Sequence, residues 1–503
     1  MPELPWWFLA VFVLGVNFVI WGTVGAIRLT ETRAARLGRH HRHEGGSREA
    51  GRRKRQQGKA GPPARKGSLA VRDVAVLMPA HNEAAVLGAS LESIMKLVPP
   101  GNVHVVSDGS TDDTPEIGRR MGARVHETAR NLGKAGALQD AIRHFRLIKK
   151  YRVIMLLDAD TRIDRDYFAQ ALPLFDSPGV VAVAGCVRTA RDRRLSLAGN
   201  VLVGHRQRIY AIGQRALKFG QTYLRANATH IVPGFASMYR TSVLPHMELN
   251  PPGMVIEDFN MTFEVYQKRL GKVAFTLGAV AETQDPDTLH DYMRQTRRWA
   301  VGLWQTVRRH PPRANLFTAM LAVLLLELIT SSAMFLLLPL LVAVLVIPDL
   351  AHGTLGWPTF ADVHAAVAAH MKLTAVLFGV LIPDYAMTCL VAALERRPRL
   401  LVVGLFFPFM RIIDAAIGIS AIPAGWLTRS NGTWQSPARR VIEPETKPVP
   451  VAGGQPDAGR QAGAAKTADG PAAQAGGGTG TQRADANAFA PSVHFVSERT
   501  HAH

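Results

Sequence analysis

The feature that most constrains this chain is the uneven distribution of its apolar residues. Residues 5–27 contain no charged side chain, and three further apolar blocks occupy about 315–347, 372–394 and 400–427. Roughly 20 apolar residues are enough for a helix to cross the hydrocarbon core of a bilayer. The pattern therefore predicts transmembrane α-helices on both sides of a polar middle region. A secretory signal peptide is the alternative for the first segment, but no basic region precedes the segment and it is long for the apolar region of such a peptide.

The positive charge is concentrated beside the first apolar segment. The chain has a formal net charge of +20, and residues 28–67 hold 13 Lys and Arg against three Glu. Such a run can indicate nucleic-acid binding. Its position directly after an apolar span instead favours the positive-inside signal and contact with anionic lipid, so we expect no nucleic-acid partner. This orientation predicts a multi-pass cell-membrane protein whose middle region is cytoplasmic.

The side of the membrane that holds the C-terminal tail stays open. Residues 348–371 contain no Lys or Arg and are expected outside. Alternating spans then put the tail outside, whereas Arg429, Arg439 and Arg440 favour the inside. A re-entrant segment within 400–427 would place the tail inside.

The composition divides the chain into five regions. They are an N-terminal transmembrane helix (1–28), a basic juxtamembrane linker (29–68), a middle domain ending in an amphipathic interfacial helix (69–310), a transmembrane region (311–427) and a low-complexity tail (428–503). The linker and the tail are poor in large apolar side chains. Because they have little apolar surface to bury, we expect both to be disordered.

Within the middle domain, short apolar runs alternate with helical patterns. Runs such as 103–106 and 152–157 have the continuous apolar character of strands that are buried on both faces. This alternation predicts a parallel sheet covered by helices, which is a Rossmann-like α/β fold. Ligands of such sheets bind outside the carboxyl ends of the strands. Asp108 and the pair Asp158 and Asp160 fall at that edge.

These acids have the spacing of a metal and diphosphate site. Asp158 and Asp160 directly follow a strand, and Mg²⁺ prefers a few carboxylates together with phosphate oxygens and water. The alternative is a turn with solvated acids. For Asp108 the alternative is the N-cap of the helix expected near Thr111. Lys134 lies at a predicted helix start, which suits a phosphate contact, and a plain surface lysine is the alternative.

An acidic pair lies farther along the chain. Asp258 follows Glu257 at the start of a helix-like stretch. In a partly desolvated pocket, Asp258 could accept a proton from a hydroxyl group. The alternative is that both acids only stabilise the dipole of the helix that they begin.

Residues 288–309 form an amphipathic pattern that includes Gln295, Arg298 and Trp299. A helix of this kind can lie on a membrane surface, and the next apolar block follows closely. The same three side chains can still point into a pocket. There, an arginine suits a leaving diphosphate and an indole ring suits the apolar face of a sugar.

These motifs resemble those of the family 2 inverting glycosyltransferases, in particular the processive membrane synthases of poly-N-acetylglucosamine, chitin oligomers, hyaluronan and cellulose. The matching elements are residues 78–83, 108–110, 131–134, 158–160, 233–236, 257–258 and 295–299. Within that group, residues 286–288 and 432–437 look most like those of bacterial poly-β-1,6-N-acetylglucosamine synthases.

The resemblance implies a GT-A-like nucleotide-sugar domain at 69–310 that polymerises a UDP-sugar, UDP-N-acetylglucosamine in the most similar group, into a β-linked polysaccharide for export. It also implies the following roles: Asp258 as the base, Asp158 and Asp160 as ligands of Mg²⁺ or Mn²⁺, and Asp108, Lys134, Glu257, Gln295, Arg298 and Trp299 as substrate-binding residues. The implied partners are the UDP-sugar donor, the growing glycan and the lipid bilayer, and accessory export or modification subunits are compatible with this assignment.

Departures from the family pattern leave alternatives open. Residues 246–253 stand where relatives often have a Gly-rich stretch near the acceptor, so the sugar and its linkage stay open. A cellulose-, chitin- or hyaluronan-like product is one alternative. A single-transfer glycosyltransferase that acts on a lipid acceptor is another.

Overall fold

The computed structural model describes residues 5–44, 68–190, 195–350 and 358–430. The strands are β1 (Val74–Ala80), β2 (Val103–Asp108), β3 (Arg124–Thr128), β4 (Val153–Leu157), β5 (Arg162–Ile163), β6 (Val180–Thr189), β7 (Ala236–Arg240) and β8 (Lys272–Thr283). The helices that precede or flank them are α1 (Trp6–Leu14), α2 (Val16–Glu44), α3 (Ala84–Met95), α4 (Thr114–Arg120), α5 (Gly133–His144), α6 (Leu147–Lys150), α7 (Tyr167–Ala171), α8 (Leu197–Ile212), α9 (Phe219–Gln221), α10 (Glu257–Gln267) and α11 (Leu289–Arg309). The remaining helices are α12 (Leu316–Leu350), α13 (Pro358–Ala368), α14 (Leu373–Val376), α15 (Ile382–Glu395), α16 (Arg399–Val403) and α17 (Phe407–Leu427).

The strands of the described part form one eight-stranded sheet in the order β3-β2-β1-β4-β7-β6-β8-β5. The predicted parallel arrangement is confirmed for β3, β2, β1 and β4. Beyond β4 it is wrong, because β7 runs antiparallel to both β4 and β6. The chain reaches β7 only after a long excursion through α8 and α9, and it enters the sheet from the edge where β4 ends. The sheet is therefore mixed.

Helices cover both faces of this sheet. Every residue of β1, β2 and β4 is buried, as the continuous apolar runs predicted. One face packs against side chains of α3 and α7, and the other packs against α5 and α10. The Rossmann-like α/β class is therefore confirmed. Apolar helices precede this domain in the sequence and also follow it.

The N-terminal helix differs from the single helix predicted for residues 1–28. Helices α1 and α2 meet at a bend of 66°. Gly15 lies at the bend with a φ of 83°, a conformation that glycine adopts without strain. At this break, Glu327 of α12 accepts hydrogen bonds from the Asn17 backbone N (2.9 Å) and side-chain Nδ2 (3.0 Å).

The linker predicted at 29–68 is also partly wrong. Helix α2 continues to Glu44, so the first part of the basic segment is helical. Alanine, arginine and leucine in this stretch have high helix propensity, which outweighs the small amount of apolar surface. The remainder of the predicted linker, from residue 45 to 67, lies outside the described residues, as do residues 431–503 of the predicted tail with the 432–437 motif.

Three helical segments in the described part are long and apolar enough to cross a membrane, and the bent N-terminal pair would make a fourth if it forms one span. The three are Leu316–Ile347, Leu373–Glu395 and Arg399–Leu427, close to the predicted apolar blocks. Helix α12 runs without a break through Pro339.

Helix α11 joins the sheet domain to the apolar helices. On one side, Gly302 allows close approach to Ile256, because a Cβ at Gly302 would lie 3.1 Å from that side chain. On the other side, Trp304 is buried against α17, where its ring centroid lies 5.9 Å from that of Trp426. Gly425 makes this contact possible, since a Cβ there would overlap Trp304.

Substitution of Trp304 by alanine tests this packing. Removal of this buried indole should leave a cavity that the neighbouring side chains do not fill, and it should lower the free energy of unfolding by about 3–5 kcal/mol. Met293 is 42% exposed on the same helix, so Met293→Ala is a matched control that should change stability by less than about 0.5 kcal/mol. Thermal unfolding of the full chain in detergent measures both variants, and equal losses would contradict the packing role of Trp304.

Candidate active site

The predicted site residues gather at one edge of the sheet. Asp108 is the last residue of β2, and Asp158 directly follows β4. Because β7 is antiparallel, the segment that precedes it reaches the same edge: the Asp158 backbone N donates a hydrogen bond to Phe235 O at 3.0 Å. A fully parallel sheet would not have placed the 233–236 motif beside the end of β4.

Asp108 fixes the loop before α5. Its Oδ1 accepts hydrogen bonds from the Leu132 backbone N (2.8 Å) and from Thr128 Oγ1 (2.9 Å). Burial raises the pKa of Asp108, and these hydrogen bonds oppose the shift. Helix α4 begins at Thr114 with Asp113 as its N-cap residue, so the N-cap alternative for Asp108 is wrong.

Lys134 lies at the start of α5, at the centre of a cluster of carboxylates. Its Nζ is 2.8 Å from Asp158 Oδ1 and 3.3 Å from Glu257 Oε1. Burial alone would lower the pKa of Lys134, but the charges of Asp158, Glu257 and Asp258 outweigh it and raise the pKa. The surface-lysine alternative is therefore wrong, and the lysine is a charged member of the site.

Asp258 lies beside this cluster in the first turn of α10. Its Oδ2 accepts a hydrogen bond from the Gly234 backbone N at 2.8 Å, whereas its Oδ1 is buried and has no hydrogen-bond partner among the described residues. Burial, followed by the charge of Glu257, raises the pKa of Asp258 to about 7. One oxygen is thus held in place, and the other is a free acceptor with a pKa suited to proton transfer near neutral pH.

Asp158, a member of this cluster, and the nearby Asp160 offer carboxylate oxygens to a metal ion. Burial and the charge of Asp160 raise the pKa of Asp158, and Lys134 opposes the shift. Asp160 accepts hydrogen bonds from Thr161 Oγ1 (3.2 Å) and Thr283 Oγ1 (3.4 Å). Over the described ranges, no group of three or more His, Cys, Asp or Glu side chains is arranged to hold a metal ion. Two carboxylates fit Mg²⁺, which takes its other ligands from phosphate and water.

The three residues predicted on α11 have different surroundings. Arg298 is exposed, but its charge acts on Glu257. Burial alone would raise the pKa of Glu257. The charges of Lys134 and Arg298 oppose burial and hold the pKa of Glu257 below its usual value. Gln295 and Trp299 instead contact a residue that the sequence did not single out, Arg206 of α8. The signal that could have revealed it is a run of four polar residues, 205–208, within a helix.

Comparison with known proteins relates the region that holds this site to one protein family. Residues 72–302 match the family model described as "Glycosyltransferase like family 2". This part of the chain, just under half of its length, is similar to the family 2 glycosyltransferases. It contains the sheet, α10 and most of α11, and therefore the whole candidate site.

Individual proteins are also similar to part of this chain. The uncharacterized glycosyltransferase YaiP of Escherichia coli K12 is 28% identical over 240 residues, which cover 46% of this chain and 57% of that protein. The poly-β-1,6-N-acetyl-D-glucosamine synthase of Staphylococcus epidermidis is 25% identical over 252 residues, 47% of this chain and 58% of that protein. The chain thus matches less than two thirds of the length of these relatives. The mannosyltransferase PcManGT of Pyrobaculum calidifontis, solved with GDP-Man and Mn²⁺, has a TM-score of 0.43 at 20% identity and covers 69% of this chain and 87% of that chain.

Gly234 offers a test of the geometry of this site. A Cβ at this position would lie 2.5 Å from Asp258 Oδ1 and 3.2 Å from Lys134 Nζ. Gly234→Ala should therefore displace the Asp258 carboxylate and slow sugar transfer by on the order of 10- to 100-fold. Gly213→Ala is the control, because a Cβ there meets nothing within 4 Å. Initial rates at equal amounts of folded protein measure the effect, and an active Gly234→Ala variant would show that the Asp258 position is not critical.

Proposed function

We propose that this chain is a membrane-bound inverting glycosyltransferase that polymerises sugar from a UDP-sugar, UDP-N-acetylglucosamine, into a β-linked polysaccharide coupled to export. The catalytic domain at 69–310 would lie on the cytoplasmic side of a cell membrane. The single observation that carries the proposal is the convergence of Lys134, Asp158, Glu257 and Asp258, with a free Asp258 oxygen. This cluster lies in a region that matches the family 2 glycosyltransferase model and is joined to apolar helices.

Asp258 would act as the general base. Its free Oδ1 accepts the proton of the acceptor hydroxyl while the oxygen of that hydroxyl attacks the anomeric carbon of the donor sugar. The bond from this carbon to the diphosphate breaks on the opposite face, so the configuration inverts and the nucleoside diphosphate leaves with the electron pair. The Gly234 backbone N–H holds the other carboxylate oxygen throughout.

The donor would bind along the sheet edge. Asp108 would contact the uridine, while Lys134 and Arg298 would meet the charge of the diphosphate, with Glu257 holding Lys134 in position. Mg²⁺ or Mn²⁺ bound by Asp158 and Asp160 would neutralise the diphosphate, which two bare carboxylates would otherwise repel.

The acceptor would bind beside α11, with Gln295 and the Trp299 ring as its contacts. We name these two residues the acceptor platform. The proposal of repeated addition and export rests on the position of α11, which packs directly against α17. Helix α17 is part of Arg399–Leu427, one of the three helical segments able to cross a membrane. A glycan end held on the acceptor platform would therefore lie close to the bilayer.

Asp258→Asn tests the proposed base. The amide keeps the shape but cannot take the proton, so turnover should fall by on the order of 10²–10⁴-fold while UDP binding survives. In the wild-type protein, the deprotonated carboxylate is the active form. Since burial raises the pKa of Asp258 to about 7, kcat/KM should fall as the pH drops below that value and level off above it. Parallel loss of UDP affinity in the variant would make Asp258 a nucleotide ligand or a structural residue instead.

The product of the reaction tests the whole proposal. The full chain in membranes would be incubated with Mg²⁺ and each of a panel of radiolabelled UDP-sugars, and the products would be separated by length. Long chains from UDP-N-acetylglucosamine are expected. Single additions to lipid would favour the alternative of a single-transfer enzyme, and long chains from another UDP-sugar would favour a cellulose- or hyaluronan-like product.

Trp299→Ala tests the acceptor platform in the same assay. Loss of the ring should abolish long products while hydrolysis of the UDP-sugar persists, because water needs no platform. Trp299→Phe keeps an apolar ring and should retain part of the polymerisation. An unchanged length distribution in Trp299→Ala would exclude a role for this ring in processivity.

A further inference from the structure

One turn of α8 is built entirely from buried polar side chains. His205, Arg206, Gln207 and Arg208 follow one another, and all four are buried. Burial of such groups costs free energy unless each finds partners. Since consecutive helical residues point in different directions, this turn can contact a different element through each side chain.

Three of the four side chains hold α8 to the apolar helices and to the loop between them. Their partners are Asp414 for His205 (2.9 Å), Arg397 for Gln207 (3.1 Å), and Asp384 (2.7 Å) and Thr388 (3.0 Å) for Arg208. Each contact pairs a polar group with an oppositely charged or complementary one. These contacts account for the fixed position of the helix.

Arg206 has a different environment. Its guanidinium carbon lies 4.5 Å from the ring centroids of both Tyr292 and Trp299. Its Nη2 donates hydrogen bonds to Thr296 Oγ1 (2.9 Å) and Gln295 Oε1 (3.3 Å). The planar guanidinium therefore contacts four side chains that lie on one face of α11 and span two turns of that helix. Two of these four side chains, Gln295 and Trp299, form the acceptor platform.

The charge of Arg206 is not neutralised by a close carboxylate. Among the described residues, no acid lies within ion-pair distance of its guanidinium, and Asp285 and Asp414 attract it only at longer range. A purely structural buried arginine would be expected to pair directly with an acid, as Arg208 does. The fork geometry of Arg206 is used instead to stack on rings and hold an amide oxygen.

We propose that Arg206 is the positioning residue of the acceptor platform: its guanidinium covers one face of the Trp299 ring and fixes Gln295, so that the opposite ring face is presented to a pyranose ring of the acceptor. The role of the acceptor in this inference rests on the proposed function, whereas the contact of Arg206 with Trp299 and Gln295 does not. Because one face is occupied, an acceptor sugar can stack only on the other, which restricts its orientation relative to Asp258.

The test compares Arg206→Gln and Arg206→Lys with Arg208→Gln. Arg208 is equally buried in the same turn but touches neither residue of the acceptor platform, so it controls for the loss of a buried arginine. The full chain would be labelled with 5-fluorotryptophan, placed in lipid nanodiscs and examined by fluorine NMR. The chain has eight tryptophans, and the Trp299 resonance is the one that disappears in Trp299→Phe.

The Trp299 resonance should shift and broaden in both Arg206 variants and stay in place in Arg208→Gln. Lysine keeps the charge, but it cannot stack on two rings and hydrogen-bond to Gln295 at the same time. The Arg206→Lys variant should therefore fold and still release the Trp299 ring. In transfer assays, the Arg206 variants should lower kcat/KM for an acceptor oligosaccharide by about 10- to 100-fold, with KM for the UDP-sugar unchanged.

An unmoved Trp299 resonance in the Arg206 variants, or an equal shift in Arg208→Gln, would overturn the positioning role. A resonance that moves while acceptor kinetics stay unchanged would overturn the link to the acceptor. If the wild-type protein transfers sugar from no UDP-sugar, the proposed function fails, the acceptor role falls with it, and the NMR comparison still decides whether Arg206 fixes the ring.

Discussion

The packing of α11 between α10 and α17 is the contact on which the candidate site depends. On its inner side, Gly302 lies against Ile256, and Gln305 Oε1 accepts a hydrogen bond from the Val255 backbone N at 2.9 Å. Both contacts fall immediately before the Glu257–Asp258 pair. On its outer side, Trp304 fills the space left by Gly425. The same helix therefore sets the approach of Arg298 to Glu257 and the distance of the site from the apolar helices.

The residues at the sheet edge could be predicted because each depends on local pattern. Continuous apolar runs mark β2 and β4, and a general property of parallel sheets puts Asp108 and Asp158 at one edge. The antiparallel entry of β7 could not be predicted in this way. It depends on the path of the chain after α8. It brings Gly234 next to Asp258, and no local sequence pattern links these two residues.

The partners of the charged residues were equally hidden from the sequence. Lys134 looks like a surface lysine until Asp158 and Glu257, from two other elements, are placed around it. Arg206 is marked in the sequence only by the polar run 205–208, and its role depends on Tyr292 and Trp299, which face it from α11. The bend at Gly15 likewise involves a long-range contact, with Glu327. The helical continuation to Glu44 instead follows from helix propensity, which hydropathy does not reflect.

The bend between α1 and α2 has a consequence for the biogenesis of the protein. The carboxylate that receives the Asn17 N–H groups belongs to Glu327, which the ribosome adds more than half a chain length later. Until then, the start of α2 lacks its acceptor in apolar surroundings. Farther along α2, Arg28 donates hydrogen bonds to Phe219 O (2.6 Å) and Phe275 O (2.9 Å) of the domain that contains the sheet. Helix α2 is thus synthesised well before its partner in α12, and it can reach its final position only after α12 has been translated.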